Sequence, residues 1–219
     1  CYLRALPQDH QNMNSDAKVI AKVETKAAVD NVEEIVRASD VVMIARGDLA
    51  VETEAESVPI VQRRIIGLGQ KYTTPTIVAT QMLDSMTDSS EPTRAEVSDI
   101  ATAVIVGADC VMLSDETASG KYPIEAVKTM KRVILYTENH SPLKVSFPDN
   151  EDHSSQIAIS SAIISLATSV EAKAIVAETK SGATAFNISA LRSTVPVIAV
   201  TSADRVAQQL AIVFGVKSY

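Results

Sequence analysis

Val41–Glu52 reads VVMIARGDLAVE, an apolar run that changes abruptly to polar residues. The run Val41–Ile44 predicts a strand that is buried on both faces, as in a parallel sheet. At its end, Gly47 permits a sharp turn with exposed backbone N–H groups, and Asp48 places a carboxylate, a hard ligand that suits Mg²⁺, at the mouth of the strand. The stretch therefore predicts a buried strand whose end can bind a ligand.

Three other segments show the same change from apolar to polar residues. They are Lys18–Glu24 (KVIAKVE), Thr76–Gln81 (TIVATQ) and Cys110–Glu116 (CVMLSDE). Together with the first stretch they begin at residues 18, 41, 76 and 110, which is the spacing of successive βα units. The four segments predict a parallel sheet with helices between its strands.

Apolar residues at helical spacing predict the helices between these strands. Thr25 can cap a helix that continues to Ala38. A polar loop, Glu52–Ser57, is expected before a second helix that ends near Gly69. Thr93 and Glu96 have the spacing of a capping box, which marks the start of a third helix.

Residues 139–152, NHSPLKVSFPDNED, are rich in turn formers and predict a domain boundary. We expect domains at 1–140 and 153–219, joined by a linker at 141–152. The second domain is predicted to be α/β, with these elements: helix Ser154–Val170, strand Ala174–Ala177, helix Ala183–Leu191, strand Val197–Val200 and helix Asp204–Phe214. Because the chain begins with Cys rather than Met and ends within a predicted strand, Phe214–Tyr219, we expect a piece of a longer chain.

The composition excludes several classes of function. The 219 residues are 46% apolar, which is enough to build a core. With 20 basic and 27 acidic residues the formal net charge is −7, and the basic residues are dispersed, so no nucleic-acid partner is expected. Cys1 and Cys110 give neither a disulfide framework nor a zinc spacing. Without a signal peptide or a long apolar run, we expect a cytoplasmic protein with no membrane partner.

Polar side chains gather at the predicted carboxyl ends of the strands, where parallel α/β folds bind their ligands. Alone, Lys22 and Glu24 would be an ordinary salt bridge, and either Asp48 or Glu116 would be a cap or a solvated loop residue. Together, two carboxylates can hold Mg²⁺ while a lysine stabilises negative charge on a substrate. This arrangement suits an enolate or a phosphoryl group. The residues at these ends are Lys22, Glu24, Asp48, Thr80, Ser114 and Glu116.

A second phosphate-binding candidate follows the strand predicted at Ala174–Ala177. Its hydroxyls, lysine, glycine and free helical N–H groups suit a phosphate, although a plain turn with a helix cap has the same composition. The residues are Thr179, Lys180, Ser181, Gly182, Ala183 and Thr184.

Five motifs, in order and spacing, resemble the second half of the catalytic barrel of pyruvate kinase. They are IAKVET, MIARGDLAVE, ATQMLDSM, PTRAEVSDIATAV and GADCVMLSDETASGKYP. The rest of the chain resembles the beginning of that family's C-terminal regulatory domain. The resemblance therefore implies an α/β fold, the later half of a (β/α)₈ TIM barrel followed by a partial α/β C-terminal domain.

The resemblance implies transfer of a phosphoryl group from phosphoenolpyruvate to ADP, giving pyruvate and ATP. It implies Mg²⁺ or Mn²⁺ as cofactor, and K⁺ whose ligands lie outside this chain. It also implies a homo-oligomer, a tetramer in the family, and a sugar-phosphate effector bound at the loop that begins with Thr179. The first barrel strands and the lid over the nucleotide are missing, so we expect the isolated chain to be inactive.

By position, the resemblance gives each site residue a role. Glu24 and Asp48 match the metal ligands, and Lys22 matches the lysine that stabilises the enolate and the transferring phosphoryl group. Thr80 matches the residue near the carbon that is protonated. Ser114 and Glu116 match a polar network behind the site. The substrate carboxylate would lie on the backbone of Ala45, Arg46 and Gly47.

The side chain of Arg46 is expected to have a different role from its backbone, and two residues depart from the family pattern. The Arg46 side chain is expected to brace its loop rather than to touch substrate. Ala50 stands where the family commonly has glycine, which puts a positive-φ turn there in doubt. Asp115 also replaces a common glycine, and it adds a carboxylate near a site for anions.

Two rival functions remain open from the sequence. The first is another Mg²⁺-dependent lyase or aldolase of the phosphoenolpyruvate/pyruvate barrel group, which would also form an enolate. The second is a non-catalytic fragment that assembles with other chains or binds an effector.

Overall fold

The computed structural model describes residues 17–140 and 155–219, so the predicted linker lies outside the described residues. The first sheet has four parallel strands in the order β1-β2-β3-β4. They are β1 (Ile20–Val23), β2 (Val41–Ala45), β3 (Thr76–Ala79) and β4 (Cys110–Met112). The predicted parallel sheet is confirmed, although β1 is shorter than Lys18–Glu24.

The register places the carboxyl ends of neighbouring strands side by side. Val23 pairs with Ile44, and Ala45 pairs with Ala79. All four residues of β3 are buried, as expected for a strand covered on both faces. Side chains that follow β1, β2 and β3 are therefore brought to one edge of the sheet.

Helices follow each strand and enclose a core against the sheet. They are α1 (Lys26–Asp30), α2 (Val32–Ala38), α3 (Arg46–Glu52), α4 (Val58–Lys71), α5 (Arg94–Val106), α6 (Asp115–Ala118) and α7 (Pro123–His140), with 3₁₀ turns at Ala55–Ser57 and Asp84–Thr87. Ile65 of α4 and Ile100 of α5 are fully buried in one cluster with Ile44 and Val78 of the strands. Burial of these side chains holds the helices on the sheet.

The predictions for the segments that follow β1 and β2 were wrong. The helix expected from Thr25 to Ala38 is divided at Asn31, although Oγ1 of Thr25 does accept the capping bond from the N–H of Ala28 at 3.2 Å. Residues 46–52 form α3 rather than an open turn, because burial of Leu49 stabilises the helix although Gly47 and Asp48 are poor helix formers.

Gly69 lies in the last turn of α4, close to the predicted end of this helix. A Cβ at Gly69 would lie 2.5 Å from Cγ2 of Thr76 and 2.7 Å from the carbonyl oxygen of Thr74. The glycine is therefore explained by the close approach of α4 to the start of β3.

The third helix begins as predicted, after the cap at Thr93. Thr93 and Glu96 form both hydrogen bonds of the capping box, and α5 ends at Gly107, whose φ is +92°. Glu96 also accepts bonds from the N–H and Oγ of Ser85, at 2.7 and 2.6 Å. The cap therefore also holds the loop that follows β3.

A second, three-stranded parallel sheet has the order β5-β6-β7. Its elements in chain order are α8 (Ser155–Ser169), β5 (Ile175–Glu178), α9 (Ala183–Ala190), β6 (Val197–Val200), α10 (Asp204–Gln209), a 3₁₀ turn (Leu210–Ile212) and β7 (Val216–Ser218). The helix predicted at Asp204–Phe214 was too long. The α/β character of this part and its final strand are confirmed.

Arg192 joins the two sheets through a cluster of buried polar groups. Its guanidinium donates two bonds of 3.0 Å to the carboxylate of Asp109 and one of 2.7 Å to the carbonyl of Gly107. The Asp109 side chain is 5% exposed and also accepts the N–H of Thr76 at 2.9 Å. A single carboxylate thus connects the start of β3, β4 and the residues after α9.

Cys110 lies at the same junction, where its Sγ is 3.2 Å from the carbonyl oxygen of Ile212. Burial, with a smaller effect of the Asp109 charge, raises the pKa of the Cys110 thiol to about 11. The thiol is therefore protonated and unreactive at neutral pH.

Within 17–140 and 155–219, no helix is both long and apolar enough to cross a membrane.

Candidate active site

Lys22, Glu24 and Asp48 meet where the first two strands end. Lys22 is in β1, Glu24 follows that strand, and Asp48 is in the first turn of α3. Nζ of Lys22 lies 2.9 Å from Oδ2 of Asp48 and also contacts Oε2 of Glu24. The three side chains are 49, 38 and 54% exposed, so the cluster is open to solvent.

The contacts in this cluster favour the charged forms of its groups. Hydrogen bonds to Glu24 and then Asp48 raise the pKa of Lys22 above its usual 10.5. The hydrogen bond from Lys22 and its charge lower the pKa of Asp48 below 3.8. Lys22 and Asp48 are therefore both charged at neutral pH.

Thr80 links the end of β3 to the start of α3. Its backbone has a φ of +73°, an uncommon value for a residue with a side chain. Oγ1 of Thr80 donates to the carbonyl oxygen of Ala79 at 2.6 Å and accepts the N–H of Gly47 at 2.8 Å. Ala45 is the N-cap of α3 and makes no side-chain cap bond. Because the N–H of Gly47 donates to Thr80, the backbone of Ala45–Gly47 lies beside the Thr80 hydroxyl.

The side chain of Arg46 points into the protein, where it contacts α5 and the loop after β3. Its guanidinium lies 2.6 Å from Oδ2 of Asp99 on α5, and it donates to the carbonyl oxygens of Thr80 and Gln81 at 2.8 and 3.3 Å. The side chain is only 10% exposed. Arg46 therefore fixes the loop after β3, and only its backbone can face a ligand beside Gly47.

Glu116 lies behind the strand ends and holds two backbone segments. It is 3% exposed, and its carboxylate accepts the N–H of Leu83 at 3.0 Å and the N–H of Ser114 at 2.7 Å. Ser114 is the N-cap of α6, without a side-chain cap bond. Both residues therefore belong to the support of the loops after β3 and β4.

The residues of the second candidate, Thr179 to Thr184, form the turn between β5 and α9. Gly182 has a φ of +85° and is the N-cap of α9. Thr179 is buried, and its Oγ1 accepts the N–H of Gly182 at 2.9 Å, so this hydroxyl holds the turn together. Lys180, Ser181 and Thr184 are exposed and accessible to an anion, as is Ala183 at the start of the helix.

The number of carboxylates limits how a metal could be held. In the part of the chain that the structure describes, no group of three or more His, Cys, Asp or Glu side chains could hold a metal ion. Glu24 and Asp48 could supply two oxygen ligands, and the remaining ligands would come from water or substrate.

Both parts of the chain match models of one protein family. The family model "Pyruvate kinase, barrel domain" matches residues 2–127, and "Pyruvate kinase, alpha/beta domain" matches residues 157–219. The chain belongs to the pyruvate kinase family. A pyruvate kinase from Mycobacterium intracellulare is 46% identical over 201 residues, which are 92% of this chain and 42% of that protein. The one from Bacillus licheniformis is 42% identical over 98% of this chain and 37% of its own length.

Solved pyruvate kinase structures have the same fold. The crystal structure from Cryptosporidium parvum matches with a TM-score of 0.90 and 37% identity, over 99% of this chain and 46% of that one. The structure from Pyrobaculum aerophilum matches with a TM-score of 0.89 and 36% identity, over 99% of this chain and 50% of that one. The chain thus spans about half, or less, of the length of the pyruvate kinases it matches.

The two departures from the pyruvate kinase pattern are accommodated locally. Ala50 lies within α3, in helical backbone, so no positive-φ turn is needed there. Asp115 is the first residue of α6 and is exposed. A carboxylate is favourable in the first turn of a helix, because it faces the positive end of the helix dipole.

Three polar residues that form ion pairs in this pyruvate kinase chain were missed from the sequence: Asp99, Asp109 and Arg192. Asp99 binds Arg46 across 53 residues of chain. Its position, four residues before buried Ala103 on α5, was the one available signal, because that spacing puts both on one helix face. Asp109 and Arg192 had no comparable signal, since neither belongs to a periodic element.

Proposed function

We propose that this chain supplies the later half of the catalytic barrel of a pyruvate kinase and part of its C-terminal domain. The complete enzyme would transfer the phosphoryl group of phosphoenolpyruvate to ADP, giving pyruvate and ATP. One observation carries the proposal: Lys22, Glu24 and Asp48 converge at the carboxyl ends of parallel strands in a chain of this family. The domain division at 1–140, 141–152 and 153–219 is part of the same proposal.

Glu24 and Asp48 fit a divalent metal ion, Mg²⁺ or Mn²⁺. Both are carboxylates, which are the ligands that such hard cations prefer, and both already contact one cationic group, the ammonium of Lys22. When bound, the ion would supply positive charge that offsets the negative charge of the phosphoryl oxygens. The K⁺ ligands would lie outside this chain.

The chain's own residues would bind and orient the substrate around that position. Lys22 would stabilise the enolate and the transferring phosphoryl group, since an ammonium acts most strongly where negative charge develops. The backbone of Ala45, Arg46 and Gly47 would bind the substrate carboxylate. Thr80 would lie near the carbon that gains a proton. Ser114 and Glu116 would keep the loops behind these groups in place.

A chimaera tests this proposal. The matching segment of the Mycobacterium intracellulare pyruvate kinase would be replaced by this chain, and pyruvate formation would be followed with a coupled lactate dehydrogenase assay. We expect activity from the chimaera and none from the 219-residue chain alone, because a four-stranded sheet cannot close a barrel. An inactive but folded chimaera would contradict the proposal, as would turnover of an aldol substrate instead.

We further propose that the turn from Thr179 to Thr184 binds the phosphate of a sugar-phosphate effector. Exposed Lys180, Ser181 and Thr184 beside the N-terminus of α9 support this role. Replacing Lys180 by Glu and Ser181 by Ala in the chimaera should weaken activation by a sugar phosphate and leave unactivated turnover unchanged. Unaltered activation would show that the turn is only a helix cap.

Two further properties follow from the family and complete the proposal. The enzyme would be a cytoplasmic homo-oligomer, a tetramer by resemblance. Exposed apolar side chains on α8, Ile159 at 60% and Leu166 at 64%, support contact with another subunit. Solution mass of the chimaera, measured by light scattering, tests the oligomeric state.

A further inference from the structure

The ammonium of Lys22 lies between two carboxylates that converge from different elements. Its Nζ is 2.9 Å from Oδ2 of Asp48 and contacts Oε2 of Glu24 as well. Glu24 follows β1 and Asp48 belongs to α3, so each carboxylate approaches the ammonium from its own backbone segment. The lysine therefore occupies the place where one cation can contact both carboxylates.

The charges of this cluster favour exchange of that cation. Two carboxylates and one ammonium leave a formal charge of −1, whereas a divalent ion in place of the ammonium would balance both carboxylates. All three side chains are between 38 and 54% exposed, and ion pairs this exposed contribute little stability and exchange readily. Carboxylate oxygens are also the ligands that suit Mg²⁺ and Mn²⁺.

We propose that Lys22 and the divalent metal ion compete for Glu24 and Asp48. Lys22 is the counter-ion of the two carboxylates before metal binds, and it is released from both when metal takes its place. The released ammonium is then free to contact the anionic substrate, so Lys22 becomes available to substrate only after metal has bound. This inference rests on the proposed function, because it takes Glu24 and Asp48 as the metal ligands.

Direct metal titration tests the competition without any measurement of activity. Mn²⁺ would be titrated into the 219-residue chain without substrate, and free Mn²⁺ would be followed by electron paramagnetic resonance. We expect Lys22→Met to bind Mn²⁺ about fivefold to tenfold more tightly than the unmodified chain, the equivalent of losing one or two exposed ion pairs. Lys22→Gln should show the same gain, and it provides a second variant should the methionine variant fold poorly.

Lys18 offers a matched control near the opposite end of β1. Its Nζ lies 2.8 Å from Oδ1 of Asp40, and its side chain is 46% exposed, close to the value for Lys22. Lys18→Met removes the same charge from the chain without touching Glu24 or Asp48. We expect its Mn²⁺ affinity to stay within about twofold of the unmodified chain, since separated surface charges are screened.

Two carboxylate variants separate failure of this inference from failure of the metal site. Glu24→Gln and Asp48→Asn should each weaken Mn²⁺ binding. If they do so while Lys22→Met binds with unchanged or lower affinity, the competition is wrong and the metal site stands. If both carboxylate variants bind Mn²⁺ as the unmodified chain does, the proposed metal site is wrong, and the competition is wrong with it.

Discussion

Arg46 and Asp99 form an ion pair in which the arginine side chain is 10% exposed and the aspartate 36%, with Nη1 of the arginine 2.6 Å from Oδ2 of the aspartate. The pair ties the first residue of α3 to α5, and the same guanidinium binds the carbonyl oxygen of Thr80. The backbone of Arg46 and the hydroxyl of Thr80 are thus held in one arrangement by a charge that lies beneath them. This relationship explains how a loop-based site can be rigid.

Asp99→Asn should destabilise the protein by about 1–3 kcal/mol, because it leaves the buried Arg46 guanidinium without its carboxylate. Urea unfolding followed by circular dichroism measures the change. The control is Asp88→Asn, which breaks an exposed ion pair with Lys121. The side chains of Asp88 and Lys121 are 77 and 70% exposed. We expect less than about 0.5 kcal/mol from the control. Equal effects of the two variants would show that the buried pair has no special role.

Glu116→Gln should lower the melting temperature and loosen the loops after β3 and β4. The carboxylate accepts the N–H groups of Leu83 and Ser114, and an amide can present only one acceptor oxygen to these two donors. The free energy of unfolding should fall by about 1–3 kcal/mol, because one buried N–H group is left without a partner. Hydrogen exchange at the two amides checks the mechanism, and unchanged protection of both would contradict it.

Arg192→Lys should weaken the coupling between the two sheets. Lysine cannot reproduce the paired bonds of 3.0 Å to Asp109 together with the bond to the carbonyl of Gly107. In calorimetry we expect a single unfolding transition from the unmodified chain. In the variant the transition should broaden or divide, because the part that contains α9 melts earlier. A variant with the same single transition at the same temperature would show that the junction does not couple the two parts.

The pKa of Asp48 should depend on Lys22. It is lowered in the native protein by the hydrogen bond and charge of Lys22, so its contribution to stability is present above pH 3.8 and is lost as the pH falls through the lowered value. In Lys22→Met, the Asp48 pKa should rise towards 3.8 or above. Titration of the ¹³C carboxyl resonance of Asp48 measures it, and a pKa equal in both proteins would mean that the pair does not form in solution.

Local patterns predicted the strands, the capping box at Thr93 and Glu96, and the grouping of Lys22, Glu24 and Asp48. These features depend on periodicity, on short-range chemistry and on the rule that parallel strands end at one edge. The break of the first helix at Asn31, the start of α3 directly after β2, and the close approach of Gly69 to the start of β3 were not predicted. They depend on tertiary contacts, and so do the pairings of Asp99 and Asp109. Helical spacing places Asp99 on the face of Ala103 but does not identify Arg46 as its partner, and no local pattern indicates Asp109.

The most direct test of the account is the turnover of the chimaera with Lys22→Met. Because Lys22 is proposed to act chiefly where charge grows on the transferring group, its loss should lower kcat by about 10²-fold or more, the effect of losing one transition-state donor, and change the KM for phosphoenolpyruvate little. Glu24→Gln should instead raise the Mg²⁺ concentration needed for half-maximal rate. A Lys22→Met chimaera with near-normal kcat and a raised KM for phosphoenolpyruvate would contradict the role assigned to Lys22.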